Sequence, residues 1–210
     1  MSRSWVLIAA GLLIGILIIN LLIETPPKSG TGDYFQYIEQ KRDAIDRFMR
    51  TGNEAMPSPI PDSIRPRFQG LKYYETNLRY KFMAEFTPQD TVRQAGLLRA
   101  GRLQFEYSGK PHTLTAFWEE GAVGRRLFVP FRDSTSLAGE TYGGGRYVGV
   151  DIPEAWNEPN KVVLDFNLAY HPYCVYNPTY VCPVPPPENN LPFGVLAGEK
   201  KDPAAWYNHP

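Results

Sequence analysis

The residues best equipped for chemistry gather in the last third of this 210-residue chain. Phe131-Arg132-Asp133-Ser134-Thr135 runs into Gly139-Glu140-Thr141-Tyr142-Gly143-Gly144-Gly145-Arg146-Tyr147. Consecutive glycines permit positive φ and close backbone approach, and amides in such a loop can form an anion-binding concavity. A phosphate-binding P-loop would need Gly-Lys-Ser/Thr opening a helix, and that string is absent. The competing and preferred reading is a tight connection between strands in which Arg146 pairs with Glu140 or Asp133. Further on, Asp165 and Asn167 would share one face of a strand, with Leu164, Phe166 and Leu168 on the other. Two polar side chains pointing together can hold a ligand, a metal or a neighbouring loop. The loop is favoured, because buried carboxylates and amides most often satisfy orphan backbone N–H groups. The candidate binding set is therefore Glu140, Tyr142, Arg146, Asp165 and Asn167, with no catalytic role assigned.

Two cysteines, Cys174 and Cys182, flank a Pro-containing stretch of seven residues. In an oxidising compartment that pattern reads as a disulfide, which would contribute ~2–3 kcal/mol by the chain-entropy model. With His171 the same residues spell H-x2-C-x7-C, soft ligands that suit zinc or copper. Only three ligands are visible, and a disulfide would consume both thiolates, so neither metal nor cofactor is expected. No serine occupies a G-x-S-x-G elbow, and the three histidines do not form H-E-x-x-H. Tyr170, Tyr173, Tyr176 and Tyr180 could offer a carbohydrate or peptide platform, but packing partners for a proline-rich tail is the preferred reading.

The elements that must position these groups follow from patterning. From Asp33, apolar residues Tyr34, Tyr37, Ile38, Ile45, Phe48 and Met49 recur at helical spacing, with Asp33 as N-cap and Gly52 as stop. Lys41, Arg42, Asp43 and Asp46 fill the opposite face. Alternating prolines from Pro57 to Pro61 forbid helix or central strand. Strands are expected at 71–74, 78–86, 101–107, 113–119, 126–131, 147–152 and 161–169, with turns at Ser108-Gly109-Lys110-Pro111 and at Glu120 to Gly124. The fold class is mainly β: an antiparallel sandwich or partly closed barrel, with one amphipathic helix and a proline-rich C-terminal segment.

Ahead of this lies a different kind of sequence. Trp5 to Ile23 is nineteen residues without charge, enough helix to cross a hydrocarbon core of ~30 Å. The run is longer than a secretory h-region and lacks an A-x-A site, so residues 1–24 are expected to be an uncleaved signal anchor. Residues 25–32 are a linker, and residues 33–210 a β-rich domain. Arg3 and the amino terminus are positive, while Glu24 and Lys28 cancel. The positive-inside rule thus puts the domain outside the cytoplasm, in the periplasm or at the cell exterior. Gly11 and Gly15 form a G-x-x-x-G pair through which the anchor could meet a helix of another membrane subunit.

Lysine plus arginine and aspartate plus glutamate number 22 each. No global field draws the chain to nucleic acid, and nucleic acid is not an expected partner. The strings Phe68 to Tyr74, Gly139 to Tyr147, Asp165 to Pro187 and Ala197-Gly198-Glu199-Lys200 together resemble the bacterial and archaeal domain of unknown function family 1684, over roughly Asp33 to Lys200. In that family's pattern asparagine stands where His171 is found here, and proline where Glu75 is, which weakens any mechanism that depends on His171. The resemblance implies an exported, membrane-associated domain and brings no catalytic role. Three functional readings follow. The first is a membrane-anchored extracytoplasmic accessory or binding module, a subunit of a membrane assembly. The second is a hydrolase-like enzyme with a pocket near Glu140, Arg146 and Asp165. The third is a metal or redox site at His171, Cys174 and Cys182.

Overall fold

The computed structural model describes residues 31–54, 56–94, 96–119, 125–153 and 160–202. The expected anchor from Trp5 to Ile23 and the expected turn at Glu120 to Gly124 lie outside these residues. Among the described residues no helix is long and apolar enough to cross a membrane. The chain divides into two units, one holding the residues up to Lys72 with Pro172–Cys182, the other Tyr73–His171 with Pro183–Lys201.

The first unit is built on helix α1, Thr31–Thr51. Its Tyr34, Ile38, Phe48 and Met49 are buried, as the spacing predicts. Gly52 ends the helix in the left-handed region at φ 68°, its N–H donating to Phe48 O at 2.7 Å. The start differs: the helix opens at Thr31, so Asp33 sits inside its first turn, where a carboxylate favours the positive end of the dipole. Lys41, expected on the polar face, is buried with its ammonium 5.4 Å from the centre of the Tyr37 ring, an arrangement that offsets part of the burial cost. The proline run is tied back by Ser58, whose hydroxyl donates to Met49 O at 2.5 Å. Asp46 accepts from the Leu71 N–H at 2.7 Å and from Arg50 at 2.9 Å.

The second unit is a nearly closed antiparallel barrel. In chain order its strands are β1 (Lys72–Tyr73, of which Tyr73 belongs to this unit), β2 (Lys81–Pro88), β3 (Arg93–Gln94), β4 (Leu97–Tyr107), β5 (Lys110–Trp118), β6 (Arg126–Phe131), β7 (Arg146–Asp151), β8 (Lys161–Asp165) and β9 (Glu199–Lys200). The main sheet runs β7-β6-β5-β4-β2-β8, with β3 attached to β4. Its ends meet where Tyr147 of β7 bridges Tyr170, just beyond β8, through reciprocal backbone hydrogen bonds of 2.9 and 3.0 Å. This bridge covers part of the open edges that would invite pairing with another chain. The inward positions are apolar: Phe86, Leu103, Leu114, Leu127, Val129, Val148, Val162 and Leu164. The Phe166 ring sits centrally, 4.9 Å from Phe131 and 5.9 Å from Phe105.

Strands β2 and β4 depart from expectation for local reasons. The segment before β2 is a 3₁₀ turn, Leu78–Tyr80, because the Asn77 side chain accepts the Arg79 N–H and caps it. Strand β4 starts earlier than Gly101, since a register shift between Arg99 and Gly101 absorbs the glycine within the strand. The turn after β4 has Ser108 and Gly109 both at positive φ, 51° and 72°, which suits a two-residue hairpin.

One seam of the barrel is stitched by a side chain. Strands β5 and β6 pair only at Phe117–Phe128 and Trp118–Leu127. Farther along they part, and the buried Asn189 amide fills the gap. Its Oδ1 accepts the Thr115 N–H at 2.7 Å, while its Nδ2 donates to Thr115 O at 2.8 Å and Pro130 O at 2.6 Å. Pro130 has no N–H to offer a ladder, and an amide side chain that both donates and accepts replaces the missing bonds.

Candidate functional site

The glycine-rich connection between β6 and β7 is a tight turn organised by Arg146. The Arg146 side chain is 0% exposed and its Nη2 lies 2.7 Å from Oδ2 of Asp133, also 0% exposed. Nη2 also donates to Val195 O at 2.8 Å, and Nη1 to Ala197 O at 2.6 Å and Glu199 O at 3.0 Å. The guanidinium plane lies against two rings, 5.4 Å from the centre of Phe131 and 6.0 Å from that of Tyr74. Of the two partners considered from sequence, the structure selects Asp133. That aspartate divides its oxygens. Oδ2 takes Arg146, and Oδ1 accepts the N–H groups of Thr135 and Ser136, capping helix α2 (Ser134–Leu137). Asp133 thus fixes the loop entrance and Arg146 its exit.

Glu140 lies on the outer side of this turn. It is exposed and accepts a hydrogen bond from the Tyr74 hydroxyl at 3.0 Å. Burial, that hydrogen bond and the negative charge of Glu140 push the Tyr74 phenol up to about 12. Lys200 places its ammonium 5.6 Å from the centre of the Tyr74 ring. Tyr142 is half-buried, and its backbone N–H donates to Nε2 of His171 at 3.2 Å. The Gly145 N–H donates to Tyr142 O at 2.9 Å. Two donors of the proposed anion cradle are thus committed within the protein. His171 is buried, with Nδ1 3.0 Å from Oε1 of Glu199 and its backbone N–H on Oε2 at 2.8 Å.

Asp165 and Asn167 are together, but not as strand neighbours. Strand β8 ends at Asp165, and Phe166–Leu168 forms a 3₁₀ turn that Asp165 caps. The Asp165 Oδ1 accepts both the backbone N–H and the Nδ2 of Asn167 at 3.0 Å. Asn167 in turn pairs with the backbone of Asn77, Oδ1 accepting its N–H at 2.8 Å and Nδ2 donating to its carbonyl at 2.9 Å. The expectation of one strand through Ala169 is corrected for this reason: the carboxylate rewards a tight turn over continued extension.

The cysteine expectation is also corrected. No disulfide joins Cys174 and Cys182. Instead the Cys174 N–H donates to Cys182 Sγ at 3.2 Å. His171 belongs to the barrel unit and both cysteines to the helical one. Among the described residues no three His, Cys, Asp or Glu side chains cluster closely enough to hold a metal. Of the four tyrosines, Tyr173 and Tyr176 are buried. The Tyr173 ring packs 6.1 Å from Phe48 and 5.7 Å from Tyr180, which favours the packing role over a platform.

Sequence reasoning missed Asn189, Glu199 and Tyr74. Nothing in a single asparagine within a proline-rich tail marks it as a barrel seam, whereas the Gly198-Glu199-Lys200 string was visible only as part of the family resemblance.

An antiparallel barrel whose strand-connecting loop is locked by a buried arginine defines a class of architecture and no known chemistry. The model of the family described as "Protein of unknown function (DUF1684)" matches residues 66–200, and the chain belongs to that family. A solution NMR structure of an uncharacterized protein from Haloarcula marismortui is similar at 34% identity, covering 83% of this chain and 98% of that one, with a TM-score of 0.66. No curated protein matches the sequence.

Proposed function

We propose that the protein is a membrane-anchored, extracytoplasmic accessory or binding module whose barrel is a rigid display scaffold. The observation that carries this reading is how the polar residues are spent. Arg146, Asp133, Asp165, Asn167 and Asn189 are buried, and their bonds go to backbone groups or to one another. Such groups hold loops in place, as buried hydrogen-bonding side chains usually do. The uncharged run from Trp5 to Ile23 supports an anchor in the same molecule.

The test is expression of the full chain with a C-terminal tag. The expected product stays with carbonate-washed membranes, is cleaved by protease only from the extracytoplasmic side, and migrates above monomer size in mild detergent. A soluble product beginning downstream of residue 25, or a free monomer in every gentle detergent, would overturn the reading. The enzyme alternative has its own discriminator in Asp165→Ala. The scaffold role requires a clear drop in melting temperature, whereas a catalytic role would leave stability nearly intact.

A further inference from the structure

The segment from Pro172 to Cys182 is a fixed loop. Tyr173–Val175 forms a 3₁₀ turn whose Tyr173 is held by Phe48 on one side and Tyr180 on the other. The Asn177 N–H donates to Tyr173 O at 2.9 Å, and the Tyr180 N–H to Asn177 O at 3.1 Å. The Asn177 side chain accepts both the N–H and the hydroxyl of Thr179, at 3.1 and 2.8 Å. This double turn brings Cys182 back onto Cys174, whose backbone N–H reaches the Cys182 sulfur at 3.2 Å. Both thiols are half-buried rather than sealed.

The surroundings of Cys174 favour its thiolate. A hydrogen bond from Cys182, aided by the backbone N–H groups of Cys174 and Val175, holds the Cys174 thiol below its ordinary range against the opposing effect of burial. Hydrogen bonds to a sulfur favour its thiolate, which is the nucleophile in exchange chemistry.

We propose that Cys174 and Cys182 are a redox-active dithiol, with Cys174 as the attacking sulfur and Cys182 as the resolving one, that takes small-molecule or protein disulfides as oxidant. The Cys174 thiolate attacks one sulfur of the external disulfide, forming a mixed disulfide and releasing one thiol. The Cys182 thiolate then attacks the Cys174 sulfur, closing the internal bond and releasing the second thiol. The protein loses two electrons and two protons, and the external disulfide gains both. The loop turns already bring the Cys174 backbone N–H within 3.2 Å of the Cys182 sulfur.

The test uses the full chain in detergent with oxidised glutathione as probe, acid quenching, maleimide labelling and intact mass. The wild-type protein should lose two hydrogens and both maleimide sites, and dithiothreitol should restore them. Cys182→Ser should stop at the glutathione adduct on Cys174. Cys174→Ser should react with glutathione at least about tenfold more slowly than Cys182→Ser. Glutathione accumulating on both sulfurs without an internal bond, two sulfurs that stay reduced, or equal rates in the two variants would each overturn the proposal. Because each outcome is read on the sulfurs themselves, failure here is distinguishable from failure of the membrane assignment.

Discussion

The guanidinium of Arg146 and the carboxylate of Asp133 meet at 2.7 Å with neither side chain exposed. An ion pair so placed gains little over an apolar isostere, but removing one partner leaves an uncompensated buried charge. Its value to the fold is therefore geometric. The same arginine gathers the carbonyls of Val195, Ala197 and Glu199, tying residues 195–199 to the start of β7.

Asp133→Asn is expected to destabilise the barrel by about 3 kcal/mol, because it strands the Arg146 charge. Urea denaturation of wild type and variant reads this directly. A loss below roughly 1 kcal/mol would place the pair in the class of weak surface bridges.

The glycine loop separates into free and constrained positions. Gly145 sits at φ 101°, and a Cβ there would overlap the carbonyl oxygen of Phe131. Gly143 has nothing within 4 Å of an added Cβ. Gly145→Ala should cost about 1–3 kcal/mol, and Gly143→Ala almost nothing. Equal melting temperatures for the two variants would show the turn to be less tightly built.

Asn189→Ala removes three hydrogen bonds at once and leaves the Thr115 N–H buried without its partner. The expected cost is about 2–4 kcal/mol, given ~1–3 kcal/mol for an orphaned buried group and the loss of packing. Amide hydrogen exchange should accelerate at Thr115 before the strand pairs at Phe117 and Trp118 are affected.

Tyr74 gives a prediction in pH. Its phenol is raised from 10.0 to about 12, so the folded state prefers the neutral form. The associated stability is complete below the unfolded value near 10, and is lost as pH rises toward 12. Burial also raises the Tyr80 and Tyr180 phenols, so ultraviolet titration should show a late-ionising tyrosine fraction that shrinks in Tyr74→Phe. In Glu140→Gln the Tyr74 transition should move downward, since both the negative charge and the ionic acceptor are gone, while burial still keeps it above the ordinary value.

Much of the barrel was legible because its strands alternate in the usual way. Arg126–Phe131 has the limits its residues suggest, and the turn expected over Ser108 to Pro111 is shortened to Ser108-Gly109, because Lys110 and Pro111 already pair as the start of β5. The helix stop at Gly52 was equally readable. What stayed hidden depends on contacts distant in sequence. Asp165 and Asn167 look like strand neighbours until Asn77, far upstream, is seen to need their hydrogen bonds. Lys41 reads as solvent-facing because its position, not its environment, is all that periodicity records. Arg146 and the Asp165–Asn167 pair prove to serve separate loops, and the task of Arg146 becomes visible only once Asp133, Val195 and Ala197 are in place around it.

The amide of Asn189 enters between strands that were synthesised some sixty to seventy positions earlier in the chain. A nascent polypeptide still missing that residue has an open slit along its wall and no means of sealing it. A truncation before Asn189 should leave that slit unsealed, while the Tyr147–Tyr170 bridge still joins the ends of the sheet.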